Sequence, residues 1–177
     1  MARTCWSADP AVSFPVLQEA ELWSGKVKAL TERTATRDLY DLYRLARQTP
    51  GFLVDDLARA LTLRAVSASD SFPRLLHPAA ALAKFSARPE LVEPLYDMLA
   101  ADDRPNLEVM TSAVARLFEP LVSLSDREQE YLRLLSDESS YRPELLFGAW
   151  PDVLGRAVID PVMQWKVLNL RRRARGG

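Results

Sequence analysis

A mostly α-helical fold is predicted by three features of this 177-residue chain. Apolar residues recur at three- and four-residue spacing along most of its length, as in helices that bury one face. Prolines stand at the openings of successive segments, where the first helical turn tolerates the missing N–H. Only one short run, Phe14-Pro-Val-Leu-Gln18, reads as a strand. A lone strand needs a sheet, and the rest of the chain supplies no other strand. The expectation is a mostly α protein with one residual strand near Phe14–Gln18.

The elements follow in order. Residues 1–13 show no period and read as an irregular start. Leu22, Val27 and Leu30, with Trp23 beside them, predict a first helix to about Arg33. Thr34 to Thr36 breaks it. Thr36 is placed to cap a second helix, with Asp38 in its favourable first turn. That helix would pack Leu39, Leu42, Tyr43 and Leu45, and Pro50-Gly51 ends it. A third helix runs from Val54 to about Val66, its start marked by Asp55 and Asp56. Ser71 to Pro78 is a connection. Helical segments follow at about 78–86, 89–101 and 105–122. Ser125-Asp-Arg-Glu128 matches a capping box, so a helix should follow it. Short helices at Pro143–Phe147, Pro151–Val158 and Pro161–Arg173 complete the chain, the last packing Met163, Trp165, Leu168 and Leu170.

Composition excludes several classes. Apolar residues are 48 % and charged residues 27 %, a globular and not a disordered balance. The net charge of −1 gives no overall field toward nucleic acid or membrane. One cysteine, Cys5, and one histidine, His77, rule out an intramolecular disulfide and a His/Cys zinc cluster. No run approaches the roughly 20 apolar residues of a membrane helix, and the start does not read as a signal peptide. The expected setting is the cytoplasm, in a bacterium.

Chemistry-bearing residues gather between Glu19 and Leu45. Lys26 and Arg33 lie seven residues apart, on one helix face, where two cations suit a triphosphate. A solvated basic stripe would give the same spacing. Asp38 and Asp41 are three apart, so both approach one point and suit a divalent cation or a base on a hydroxyl. An exposed ladder of Arg37–Asp41 and Asp41–Arg44 pairs is the alternative. Tyr40 and Tyr43 read as core-edge tyrosines. Asp102 and Asp103 read as solubilising turn residues. At the far end, Arg171, Arg172 and Arg173 would contact RNA, or would merely offset the helix dipole.

With these residues in view, the chain resembles the AbiEii/AbiGii nucleotidyltransferase toxins of type IV toxin–antitoxin and abortive-infection systems. One stretch is Glu21-Leu-Trp-Ser-Gly-Lys26, then Ala29-Leu30, Arg33 and Arg37-Asp38-Leu-Tyr-Asp41-Leu42, similar to a lysine-bearing helix followed by R-D-x-x-D-L. The second runs from Ser125-Asp-Arg-Glu128 through Pro143-Glu-Leu-Leu-Phe-Gly148 to Asp160-Pro-Val-Met-Gln-Trp-Lys166 and Asn169-Leu-Arg-Arg172.

The resemblance implies the helical C-terminal part of a nucleotidyltransferase-like α/β protein. Residues 14–70 would be a remnant of the nucleotidyltransferase domain and 71–177 a C-terminal helical domain. It implies transfer of a nucleotide from an NTP, with Mg2+, to an acceptor such as tRNA. Lys26, Arg33 and Arg37 would face the phosphates; Asp38, with Lys26 and Asp41, would be catalytic. No family glycine-serine motif or D-x-D pair precedes Phe14, and Gly25 stands where an acidic residue is common. No metal ligand set is therefore assigned, and the chain alone is expected to be inactive. The expected partners are a cognate antitoxin, tRNA or a separately encoded N-terminal half. The alternative is a non-catalytic helical module that binds one of them.

Overall fold

The protein is described by a computed structural model at residues 18–33, 35–70, 72 and 78–176. Among these residues the chain is helical and contains no strand. Phe14–Leu17 of the expected strand lie outside the described residues, as do Cys5 and His77. Gln18, the one described member, is extended and leads directly into the first helix.

α1 (Glu19–Glu32) starts with Glu19 and Glu21 in its first turn, where carboxylates favour the helix dipole. The backbone N–H of Gln18 donates to Glu21 Oε2 at 3.1 Å, satisfying one of the donors a helix start leaves open. α2 (Thr36–Gln48) follows after a break of a few residues. Its cap is Ala35; Thr36, expected to cap, instead donates its hydroxyl to the Leu91 carbonyl at 2.9 Å. A single 3₁₀ turn, Phe52–Val54, leads to α3 (Asp56–Ser67). There Asp55 caps as its sequence position suggests, accepting from the Ala58 N–H at 2.8 Å.

α4 (Pro78–Ser86) comes next. The segment expected as a helix at 89–101 is a 3₁₀ turn, Pro89–Val92, joined to the single turn α5 (Glu93–Tyr96). Prolines at 89 and 94 and the Asp102-Asp103 turn leave no room for more. α6 (Leu107–Phe118) is capped by Asn106, and α7 (Asp126–Asp137) by the Ser125–Glu128 box. α8 (Glu144–Phe147), α9 (Pro151–Val158) and α10 (Pro161–Gly176) close the chain.

Two apolar clusters share α3 between them. The first joins Val27 and Leu30 of α1, Leu39, Leu42 and Leu45 of α2, Ala58 and Val66 of α3, and the inner faces of α4 and α6. The second gathers Ala60 and Leu63 of α3 with Tyr131 and Leu135 of α7, Phe147 of α8 and Met163 of α10. α1 lies along α3, and α2 packs on α1 and α6, so the charged α1–α2 stretch is held on a firm base.

Two sequence expectations about faces do not hold. Leu22 is about half exposed, with 47 % of its surface free. On α10, Trp165 and Leu168 are exposed, while Met163, Lys166 and Val167 face the core and Leu170 is half-buried. Lys166 is the surprise. Its ammonium donates to the Ser69 carbonyl and lies 5.9 Å from the Phe72 ring centre, and burial holds its pKa below the ordinary lysine value.

Candidate functional site

α1 and α2 meet in a short hairpin, and their charged faces open into one groove of about 390 Å3. Lys26, Arg33, Arg37, Asp38 and Asp41 all line it, with Tyr40 beside them. The far wall is apolar: Leu95 of α5 and Met98 and Leu99 of the turn after it.

The two carboxylates are paired across the hairpin, not along α2. Asp41 Oδ2 accepts from Lys26 Nζ at 2.6 Å, and both side chains remain about one-third exposed. Asp38 is buried, with 1 % of its side chain accessible, and is gripped by Arg33 through two hydrogen bonds. Nε reaches Oδ2 at 2.7 Å and Nη2 reaches Oδ1 at 3.1 Å, a fork that satisfies both carboxylate oxygens. A desolvated carboxylate requires such a partner. The reverse effect is visible on Arg33, whose pKa is raised by its hydrogen bond to Asp38 and by that charge. The Arg37–Asp41–Arg44 ladder is not formed: Asp41 turns to Lys26 instead. Arg37 is exposed and makes no ion pair among the described residues. With three cations against two carboxylates among the described residues, the groove carries one surplus positive charge, at Arg37.

Some participants have no signal in the local sequence. Tyr40 donates its hydroxyl to Asp103 Oδ2 at 2.5 Å, which, with burial, raises the tyrosine pKa. Asp103 is thus an anchor between α2 and the turn after α5. Arg44 Nη1 lies 3.9 Å from the same carboxylate. Tyr40 and Tyr43 are buried, as core-edge residues should be. Arg171, Arg172 and Arg173 lie exposed on the last turns of α10 and line neither this groove nor the larger cleft.

That larger cleft, of about 580 Å3, lies between α1, α3, α9 and the start of α10. Its floor is mostly apolar, and it contains none of the candidate catalytic, phosphate-binding or RNA-contacting residues, although Gly25 lines it. The buried Asp160 pairs there with Arg64, which ties α10 to α3.

The two adjacent helices α1 and α2 thus present paired cations and carboxylates to one groove. The family follows from comparison with known proteins. The model of the nucleotidyl transferase AbiEii toxin family, of type IV toxin–antitoxin systems, matches residues 2–127, well over half of the chain, and the protein belongs to that family. The match begins ahead of Phe14 and covers the whole α1–α2 groove, but takes in only residues 125–127 of the C-terminal stretch whose sequence resembles the family. No curated protein matches the chain. No solved structure matches it either.

Nucleotidyl transfer by this family generally involves an NTP and a divalent metal. The groove does not fit that metal. Both oxygens of Asp38 are taken by Arg33, Oδ2 of Asp41 is taken by Lys26, and no group of three metal-binding side chains exists among the described residues. Among the same residues, no helix is long and apolar enough to cross a membrane.

Proposed function

We propose that this protein takes part in nucleotide transfer from an NTP to an RNA acceptor such as tRNA, and that the α1–α2 groove holds the triphosphate. The observation that carries the proposal is the gathering of Lys26, Arg33, Arg37, Asp38 and Asp41 into one groove, in a chain of this family. Arg37 is the free cation and receives the first phosphate. Lys26 is about one-third exposed and can exchange Asp41 for a phosphate oxygen at little cost, since exposed pairs contribute only about 0–1 kcal/mol. Asp41, released in that exchange, is the carboxylate able to accept the acceptor hydroxyl proton. Asp38 has no free oxygen and works by fixing the Arg33 guanidinium. Mg2+ has no seat among these residues, so no step is routed through it. The setting is the bacterial cytoplasm, with a cognate antitoxin as the opposing partner.

A second reading is favoured by one observation: both carboxylates are closed by ion pairs. On that reading the chain is a non-catalytic helical module, binding an antitoxin, RNA through Arg171, Arg172 and Arg173, or a separately encoded N-terminal half. Calorimetric titration with ATP, GTP, CTP and UTP, with and without Mg2+, separates the two. The transfer reading expects NTP binding that weakens about tenfold in Lys26→Ala, a loss of about 1.4 kcal/mol, and also weakens in Asp38→Asn. Absence of NTP affinity in the wild-type protein, with RNA or protein binding intact, would transfer the case to the second reading.

A further inference from the structure

The groove does not end at Arg37. The exposed edge of α2 continues through Arg44, seven residues and two turns on, to Arg47. At 1.5 Å per residue, these three cations span about 15 Å. Each of the outer two rests on a tyrosine. Arg44 lies 5.9 Å from the Tyr40 ring centre, with Nη1 at 3.4 Å from its hydroxyl. Arg47 lies 5.7 Å from the Tyr43 ring centre, with Nη1 at 3.4 Å from that hydroxyl. The rings are buried and 6.3 Å apart, so the two guanidinium groups sit on a fixed support. A guanidinium held in this way has less freedom to lose when it binds an anion.

The acidic groups along this edge offset one of its three charges and leave the other two. Asp41 is matched by Lys26. Asp103 accepts from Tyr40 and stands 3.9 Å from Arg44. Arg47, like Arg37, makes no ion pair among the described residues. Three cations along one helix edge, two of them seated on tyrosines and continuous with a phosphate-sized groove, match a repeating anion better than a single one.

We infer that the Arg37–Arg44–Arg47 edge of α2 binds the sugar–phosphate backbone of an RNA strand and leads its end into the groove. The direction of travel rests on the transfer reading above; the binding of RNA does not. The aromatic rings lie beneath the arginines, so contact is with phosphate and not by base stacking, and little sequence preference is expected.

The test is fluorescence anisotropy of a short labelled single-stranded RNA with a free 3′ hydroxyl, across a salt series. Each phosphate contact to a single strand contributes roughly 0.7 to the slope of log K against log salt. The variant Arg44→Gln/Arg47→Gln should therefore lose about 1.4 from that slope. Arg44→Lys/Arg47→Lys should keep most of it, since the charge remains. ATP titration of the same variants should be unchanged. An unaltered slope in the glutamine variant overturns the inference, as does a lysine variant as shallow as the glutamine one. So does a slope lost only in Arg171→Gln/Arg172→Gln/Arg173→Gln, which would assign RNA to α10. RNA binding that depends on α2 in a protein with no NTP affinity would uphold this inference and refute the transfer reading.

Discussion

Two sets of cation–carboxylate pairs behave as opposites in this molecule. In the α1–α2 groove, Lys26–Asp41 is open to solvent on both sides and Arg33 is 62 % exposed. On the other side of α3, Arg59 and Glu128 are both enclosed, with 15 % and 13 % of their side chains accessible. Arg59 also donates to the carbonyls of Pro120 and Ser123, at 2.5 and 2.6 Å, so its donors are spent inside the protein. The difference teaches which charges can serve a ligand. A cation such as Lys26, whose partner is about one-third in water, can change partners; one enclosed by carbonyls and a carboxylate cannot do so without unfolding its surroundings.

The largest test of that contrast removes the enclosed cation. Arg59→Ala leaves Glu128 without its main partner and should cost about 3 kcal/mol, read by urea denaturation. Lys26→Ala, in the groove, should cost less than about 1 kcal/mol in the same assay. Equal losses would erase the distinction between the two sets.

A pH series sharpens it next. Burial pushes the Glu128 pKa up, but hydrogen bonds from Arg59 and Ser125 outweigh this and hold it below the ordinary carboxylate value. A carboxylate with a depressed folded pKa stabilises the protein above its unfolded value, near 4.5, and that contribution is lost as pH falls through the folded value. Glu128→Gln should therefore be less stable at neutral pH and lose less stability on acidification. A parallel acid limb in the two proteins would place the sensitivity elsewhere.

The smallest effect concerns α1 itself. Gly25 stands mid-helix, where an added Cβ would meet nothing within 4 Å. Gly25→Ala should stabilise by about 0.5–1 kcal/mol in thermal melts, because glycine costs helix entropy. Because Gly25 lines the larger cleft and not the groove, NTP binding should be untouched.

What was legible in the sequence was local. The helical period, the Asp55 cap and the Ser125–Glu128 box all depend on residues within a few positions of each other. The groove's charged residues were legible for the same reason, since Lys26 to Asp41 lie on two consecutive helices. Their pairing was not: spacing alone allowed either converging carboxylates or an Arg37–Asp41–Arg44 ladder, and only the hairpin geometry turns Asp41 to Lys26 and Asp38 to Arg33. The apolar wall of Leu95, Met98 and Leu99, and the Tyr40–Asp103 bond, join residues more than fifty positions apart. The buried face of α10 differs from the expected one because apolar residues occur all round the helix, at Val162, Met163, Trp165, Val167, Leu168 and Leu170. Hydropathy then favours burying Trp165, and nothing local predicts that Lys166 turns inward.

Glu128 carries a consequence for how the protein comes apart. Its Oε2 accepts from the Ser125 N–H at 2.8 Å, starting α7, and from Arg59 Nη2 at 2.8 Å, docking α7 on α3. Helix initiation and long-range docking thus share one oxygen, and neither survives well without the other. Because α3 also supplies both apolar clusters, melting it leaves each without a wall. The described chain should therefore unfold as a single cooperative unit, and no stable subfragment is expected on either side of α3.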